Sequence, residues 1–285
     1  MAMGDRDVDV SVEGGHVALV TGAAGGQGRA HCVRLAQDGI AVIAVDRCAD
    51  LDRIPYEQPN RDDLHETVAL VEAAGGHGIG IVTDVRDLAG LGDAVRAGVQ
   101  TFGPIDVVCA NAGVIQLLPA TEIDPVDWAT VIDINLTGTW NTISATLPTM
   151  IDAGRGGSIV ITTSVAALKG TPGMAHYAAS KAAMVGLART LAAELGPHRI
   201  RVNCVAPTMV NTKMLLWDGA YQAFRPDLDA PSLDDVIDIF ASGHPLGVPW
   251  VEPIDVAEVV AWLVSNEARY VTGAVVPVDA GALIA

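Results

Sequence analysis

The chain has 285 residues, half of them apolar, with 34 acidic against 17 basic side chains and a formal net charge of −17. Such a chain offers no basic footprint to a nucleic acid or an anionic membrane surface, and no apolar run reaches the ~18 to 20 residues that span a bilayer. The apolar half of the composition therefore belongs to a buried interior, and no Pro- or Ser-rich linker divides it into separate domains.

Residues 1–14 carry charge throughout, with no apolar segment ahead of a small-residue cleavage site, and read as a flexible tail and not as a secretory signal. From 15 to 285 the chain reads as one domain, in which short Val/Ile/Ala-rich runs alternate with longer stretches of helical period. HVALVTG precedes QGRAHCVRLAQDG, GIAVIAV precedes DLHETVALVEAAG, and HGIGIVTDV precedes LAGLGDAVRAGVQTFG. IDVVCANAG, the long helix around DPVDWATVIDINLTGTW, GSIVITTS, AHYAASKAAMVGLARTLAAELG, RIRVNCVAP and VTGAVVPVDAG continue the alternation. This implies parallel strands joined by right-handed crossovers: an α/β, Rossmann-type doubly wound sheet of about seven strands with helices on both faces. Its ligand crevice lies at the carboxyl ends of the strands. Cys32, Cys48, Cys109 and Cys204 are widely spaced with no CxxC pair and read as small buried apolar residues of a reducing cytoplasm. His16, His65 and His77 lack metal-ligand spacing, and no metal is expected.

The first strand closes in TGAAGGQG, residues 21–28. Gly22, Gly26 and Gly28 permit a tight turn and close backbone approach, while the amino end of the next helix presents unpaired N–H groups to a pyrophosphate. Asp46 ends the second strand 24 residues after Gly22. A carboxylate there accepts hydrogen bonds from an adenosine ribose and repels a 2′-phosphate, so NAD is favoured over NADP. Arg47 beside it reads as a solvated charge. Tyr177 and Lys181, in HYAASKAAM, stand four apart and share a helix face. The chain holds only four tyrosines and three lysines, so this pairing is not noise. Ser164 closes the strand GSIVITTS thirteen residues earlier, which puts its hydroxyl at the carboxyl edge of the sheet beside that helix.

TGxxxGxG, the NAG of Asn111, Ala112 and Gly113, Asn135 in NLTG, Ser164 and YxxxK together resemble the short-chain dehydrogenases/reductases over nearly the whole chain. Taking hydride from an alcohol carbon requires the hydroxyl proton to leave, and a free phenol of pKa ~10 is a poor base at neutral pH. The resemblance implies Tyr177 as that base, with Lys181 favouring its phenolate and holding the nicotinamide ribose. It implies that Ser164 donates to the substrate oxygen and Asn135 holds a water between Lys181 and solvent. Asp84 and Val85 would meet adenine, and Asn111 to Gly113 would line the adenine side. Gln27, Pro207, Thr208, Val210 and Thr212 complete the implied cofactor set. Gln27 departs from the family's Ile or Leu, and Thr208 from its Gly, so a differently shaped nicotinamide loop is expected. His176 reads as a packing or rim residue, and the family implies a homotetramer, built partly through the Tyr177 helix and the carboxyl-terminal tail.

The stretch DRCADLDRIPYEQPN, residues 46–60 within an insertion at 47–62, is long for a strand-to-helix connection, which usually takes ~2 to 6 residues. With the GQGR turn and PTMVNT it resembles the mycofactocin-associated branch, which includes carveol-dehydrogenase-like enzymes. That branch implies NAD held tightly, without exchange, and hydride passed to mycofactocin; the loop would fold over the adenosine end, with Ile54, Pro55 and Tyr56 as apolar cover. A surface loop unrelated to exchange is the alternative, and with it an ordinary dehydrogenase that releases NADH. A dinucleotide-binding redox sensor is disfavoured because Asn135, Ser164, Tyr177 and Lys181 are all present. Segment 208–250 holds Met214, Leu215, Leu216, Trp217, Phe224, Ile237 and Phe240, too apolar for a free loop. It reads as a helical lid which, with Leu117, Leu118, Leu168 and Met174, encloses a hydrophobic cyclic or terpenoid-like secondary alcohol, or as a subunit interface.

Overall fold

The computed structural model describes residues 15–285, and the expected tail at 1–14 lies outside the described residues. Seven strands form one sheet: β1 (Val17–Thr21), β2 (Ala41–Asp46), β3 (Gly78–Val82), β4 (Val107–Ala110), β5 (Gly157–Thr162), β6 (Ile200–Pro207) and β7 (Val275–Val278). All pairings are parallel, in the order β3-β2-β1-β4-β5-β6-β7. The helices are α1 (Gly26–Gln37), α2 (Arg61–Ala73), α3 (Leu88–Phe102), α4 (Pro125–Ile132), α5 (Gly138–Ala153), α6 (Ala175–Leu195), α7 (Asp218–Phe224), α8 (Leu233–Ser242) and α9 (Pro253–Val264).

Strands covered on both faces read as largely continuous apolar runs, and β1 (VALVT) and β4 (VVCA) are buried along their whole length. Leu91, Ile143 and Met184 anchor α3, α5 and α6 to one face; Leu35, Val71 and Val260 anchor α1, α2 and α9 to the other. The strand order reverses between β1 and β4, and diverging crossovers there open a crevice at the strands' carboxyl ends.

Three local features set the site. The connection from β2 to α2 ends in a capping box, where the Asn60 side chain accepts from the N–H groups of Asp62 and Asp63. Helix α4 begins with its own box, Asp124 with Asp127, and runs into α5 through a π-helical turn, Asp133–Thr137, that carries Asn135. In segment 208–250, α7 and α8 are held together by Phe224 and the fully buried Phe240, ring centroids 4.8 Å apart edge to face. Those two phenylalanines therefore pack the segment itself instead of facing a pocket.

Candidate active site

Gly22 and Gly26 adopt left-handed backbone, φ +68° and +51°. A Cβ on Gly28 would lie 1.9 Å from the Gly22 carbonyl oxygen, so only glycine lets α1 close against the turn. Helix α1 has no side-chain cap, and Gly25, Gly26 and Gln27 line the cleft, which leaves its first N–H groups to an anion. Asp46 also lines the cleft; its oxygens accept from the Ala24 and Cys48 N–H groups, both at 3.0 Å, while burial pushes its pKa up. Asp84 and Val85 line the same wall, with Asp84 paired to Arg86 Nη2 at 2.6 Å. Arg47 is not the solvated charge expected: its Nε lies 3.3 Å from Asp84, another nitrogen donates to the Asp50 carbonyl, and Nη1 is buried without a partner. Gln27 Oε1 is likewise buried without a partner. These two side chains add an unpaired donor and an unpaired acceptor to the free N–H groups of α1.

Asn111 braces the switch point, donating to the Thr21 carbonyl and accepting from the Thr162 hydroxyl, both at 3.1 Å. Ala112 and Gly113 continue the cleft wall, and Thr212 closes it from the far side. Six of the expected cofactor residues lie outside this lining: Tyr177 and Lys181 of α6, and Gly28, Pro207, Thr208 and Val210. Gly28 packs the turn, Val210 enters the core and bridges to Val251, and Pro207 ends β6. Thr208 bonds through its hydroxyl to His244 Nε2 at 2.7 Å.

The connection 47–60 is a strap that crosses the cleft and reaches well beyond the adenosine end. Ala49, Leu51, Tyr56, Gln58 and Pro59 line the cavity. Ile54 and Tyr56 are buried in one apolar cluster with Val114 and Ile134, against which Tyr177, Met214 and Trp217 pack. The Tyr56 oxygen accepts from the Ile115 N–H at 3.1 Å, and its ring centroid lies 5.8 Å from that of Trp217. Glu57 pairs with Lys213 Nζ at 2.7 Å. Pro55, expected as cover, faces solvent, because alternation along the extended strap turns its neighbours Ile54 and Tyr56 inward.

Helix α6 carries Tyr177 and Lys181 one turn apart, with Lys181 Nζ 5.6 Å from the tyrosine ring centroid. That nitrogen donates to the Thr162 carbonyl at 2.8 Å, at the end of β5, and burial pulls its pKa down to about 8. Burial also pushes the Tyr177 phenol up, opposed by the neighbouring Ser164 hydroxyl. Desolvation thus opposes ionisation of Tyr177, and Ser164 acts against that desolvation. Ser164 accepts from the Ala166 N–H at 3.1 Å, which leaves its hydroxyl hydrogen free to donate. Asn135 is fully buried; its amide accepts from the Val114 N–H at 2.8 Å and donates to the Val114 carbonyl at 2.9 Å and Ser180 Oγ at 3.2 Å. A Cβ on Gly113 would lie 3.2 Å from Asn135 Oδ1 and 3.3 Å from Lys181 Nζ, so the missing side chain lets the NAG turn lie against both.

Of the expected substrate residues, Met214 lines the cleft and Trp217 packs on Tyr56; Leu117, Leu168 and Met174 stand outside that lining, with Leu168 exposed. Sequence reasoning missed Arg53, Gln116 and Asp127, which contact one another and His176. Their only signal was the helix start at Asp124-Pro125. Among the described residues no group of three or more His, Cys, Asp or Glu is placed to hold a metal ion, and no helix is long and apolar enough to cross a membrane.

A doubly wound sheet whose glycine turn meets α1 at the switch point, with a serine, tyrosine and lysine gathered at the end of β5, defines a dinucleotide-dependent oxidoreductase scaffold. The short chain dehydrogenase family model matches residues 16–217, and the chain belongs to that family. It is 46% identical over 268 residues to a (−)-trans-carveol dehydrogenase of Rhodococcus erythropolis, covering 94% of this chain and 97% of that one. A carveol dehydrogenase from Mycobacterium avium, solved in complex with NAD, superposes with a TM-score of 0.93 at 45% identity, covering 96% of this chain and 99% of the other. A short chain dehydrogenase from Mycobacterium paratuberculosis bound to NAD gives 0.86, again at 45% identity, covering 95% and 99%.

Proposed function

We propose that this chain oxidises a hydrophobic, cyclic secondary alcohol to its ketone, or runs the reverse, with NAD that stays bound through turnover. The observation that carries the reading is the strap, which lines the cleft beside the glycine turn and packs Tyr56 into the cluster that Tyr177 and Trp217 join. The residues fit NAD: α1 offers uncapped N–H groups, Asp46 suits a ribose diol, and Gln27 Oε1 and Arg47 Nη1 await partners. Bound there, NAD supplies the hydride acceptor. The chain's own part is proton chemistry. Ser164 donates to the substrate oxygen and orients the carbinol, and Tyr177, as phenolate, takes its hydroxyl proton. Lys181 supplies the charge that favours the phenolate, and Asn135 is assigned the relay water toward solvent. Asp84 and Val85 are assigned to the adenine, and Pro207, Thr208, Val210 and Thr212 to the nicotinamide side. Met214, Trp217, Leu117, Leu168 and Met174, with segment 208–250 as lid, are assigned to the alcohol.

The carveol dehydrogenases among its relatives support a terpenoid-like ring as substrate. A retained cofactor must be reoxidised in place, and mycofactocin is the proposed acceptor. Four free cysteines support a cytoplasmic enzyme, and exposed apolar helix faces support a homotetramer. The test is to purify the protein without added cofactor, measure bound NAD, and compare trans-carveol oxidation with free NAD and with an artificial electron acceptor. Retained NAD and turnover only with the acceptor are expected; a cofactor-free preparation that turns over readily on added NAD refutes retention.

A further inference from the structure

Three buried polar side chains form a relay that none of these steps uses. Gln116, 4% exposed, follows the NAG turn; Asp127, 6% exposed, sits in the first turn of α4; His176, fully buried, immediately precedes Tyr177. Gln116 Nε2 donates to the Arg53 carbonyl of the strap at 2.7 Å and to Asp127 Oδ1 at 3.0 Å. Both partners can only accept, so the amide cannot be turned over and Oε1 must face His176 Nε2, 3.0 Å away. That nitrogen therefore carries the imidazole proton. At the outer end the Arg53 guanidinium grips Asp124 at 3.1 Å and Asp127 at 3.2 Å. One amide thus joins the strap to the residue before the tyrosine.

We infer that Gln116 and His176 are positioning residues that make closure of the strap and placement of the Tyr177 hydroxyl a single event. The inference rests on the reading that NAD occupies the cleft and Tyr177 moves the proton. If the strap lifts, Gln116 loses one of its two acceptors, its amide is free to rotate, and His176 loses its fixed partner. Helix α6 has no side-chain cap of its own, so its first turn depends on such lateral bonds. With the strap closed all three side chains are buried, so no bulk water competes for these bonds. Tyr56 adds a second tie, since the same strap carries the ring that joins the apolar cluster Tyr177 packs against.

Two rates on the NAD-loaded enzyme test it: release of bound NADH, followed by its fluorescence after a chase with excess NAD, and formation of NADH in a single turnover with trans-carveol. His176→Leu should speed release and slow the single turnover, each by about tenfold, as loss of a buried hydrogen bond allows. His176→Gln, which keeps a donor at similar reach, should bring both back to within about twofold of the natural enzyme. Arg53→Ala, at the exposed end, should move the same two rates in the same directions. A His176→Leu enzyme that reacts slowly yet releases NADH at the natural rate overturns the coupling, as does an Arg53→Ala enzyme that releases quickly yet reacts normally. If His176→Leu does not fold, Arg53→Ala decides alone. A natural enzyme that binds no NAD overturns the functional reading, and the coupling with it, before any variant is compared.

Discussion

In the proposed chemistry Lys181 must be charged to favour a phenolate at Tyr177, yet it is held where charge is disfavoured. Its Nζ has the Thr162 carbonyl at 2.8 Å and the face of Tyr177 beyond, and burial has drawn its pKa to about 8. Rising pH favours loss of the Tyr177 proton, but as pH passes about 8 the lysine loses the proton on which that phenolate depends. Two opposed titrations give a maximum, so the single-turnover rate of alcohol oxidation should fall on the alkaline side of that value. Lys181→Met should lower the rate by roughly 10²-fold and abolish the alkaline fall, because no cation remains to be lost. Rate against pH for both proteins checks this; a natural enzyme whose rate keeps climbing a full pH unit beyond Lys181's pKa contradicts it.

Helices α4 and α5 expose Val126, Trp128 and Trp140, and Leu88 opens α3 with its side chain also in solvent. Further exposed apolar side chains stand at Ile254 and Trp262 of α9 and at Ile284 of the carboxyl-terminal tail, so the proposed assembly has apolar surface to bury on several faces. Light scattering should report the mass of a tetramer, and Trp140→Glu should shift it toward smaller species without loss of helical content; an unchanged mass places the contact elsewhere. The same two helices show where the sequence could be read and where it could not. Strands β1, β4 and β5 were legible because burial on both faces leaves a largely unbroken apolar run, and the Tyr177–Lys181 pair because four residues make one helical turn. Asn135 was legible as a motif, but the π turn that carries it leaves no mark on apolar spacing in IDINLTG. The strap's length was legible and its path was not: Tyr56 reaches Ile115 through a single hydrogen bond between positions 59 apart, a pairing that only folding creates. Gln116 and His176 belong to no periodic pattern, since buried polar contacts between distant segments carry no local spacing.

Across the whole molecule, acid acts through two opposed effects. With 17 more acidic than basic side chains and a sequence pI near 4.5, the folded chain loses self-repulsion as pH falls from 7, which favours the compact state. Against this stands His31, fully buried in α1, its ring nitrogens without well-formed hydrogen bonds and its pKa pulled by burial down to about 4, partly offset by Asn111. The folded state keeps this ring neutral until about pH 4, whereas the unfolded chain binds the proton below the ordinary 6.5. Stability contributed by the neutral ring is therefore whole above 6.5 and shrinks as pH falls toward 4, by roughly 2 kcal/mol at pH 5. His176, also lowered by burial, acts in the same direction. Surface repulsion is screened over about 8 Å in physiological salt, while a buried ring is not, so the histidine should dominate. The midpoint of thermal unfolding should fall by about 4 °C between pH 7 and pH 5. His31→Leu, similar in volume and unable to titrate, should flatten most of that slope whatever it does to the midpoint at pH 7. A midpoint that rises toward pH 5 in the natural protein would give the larger share to surface charge.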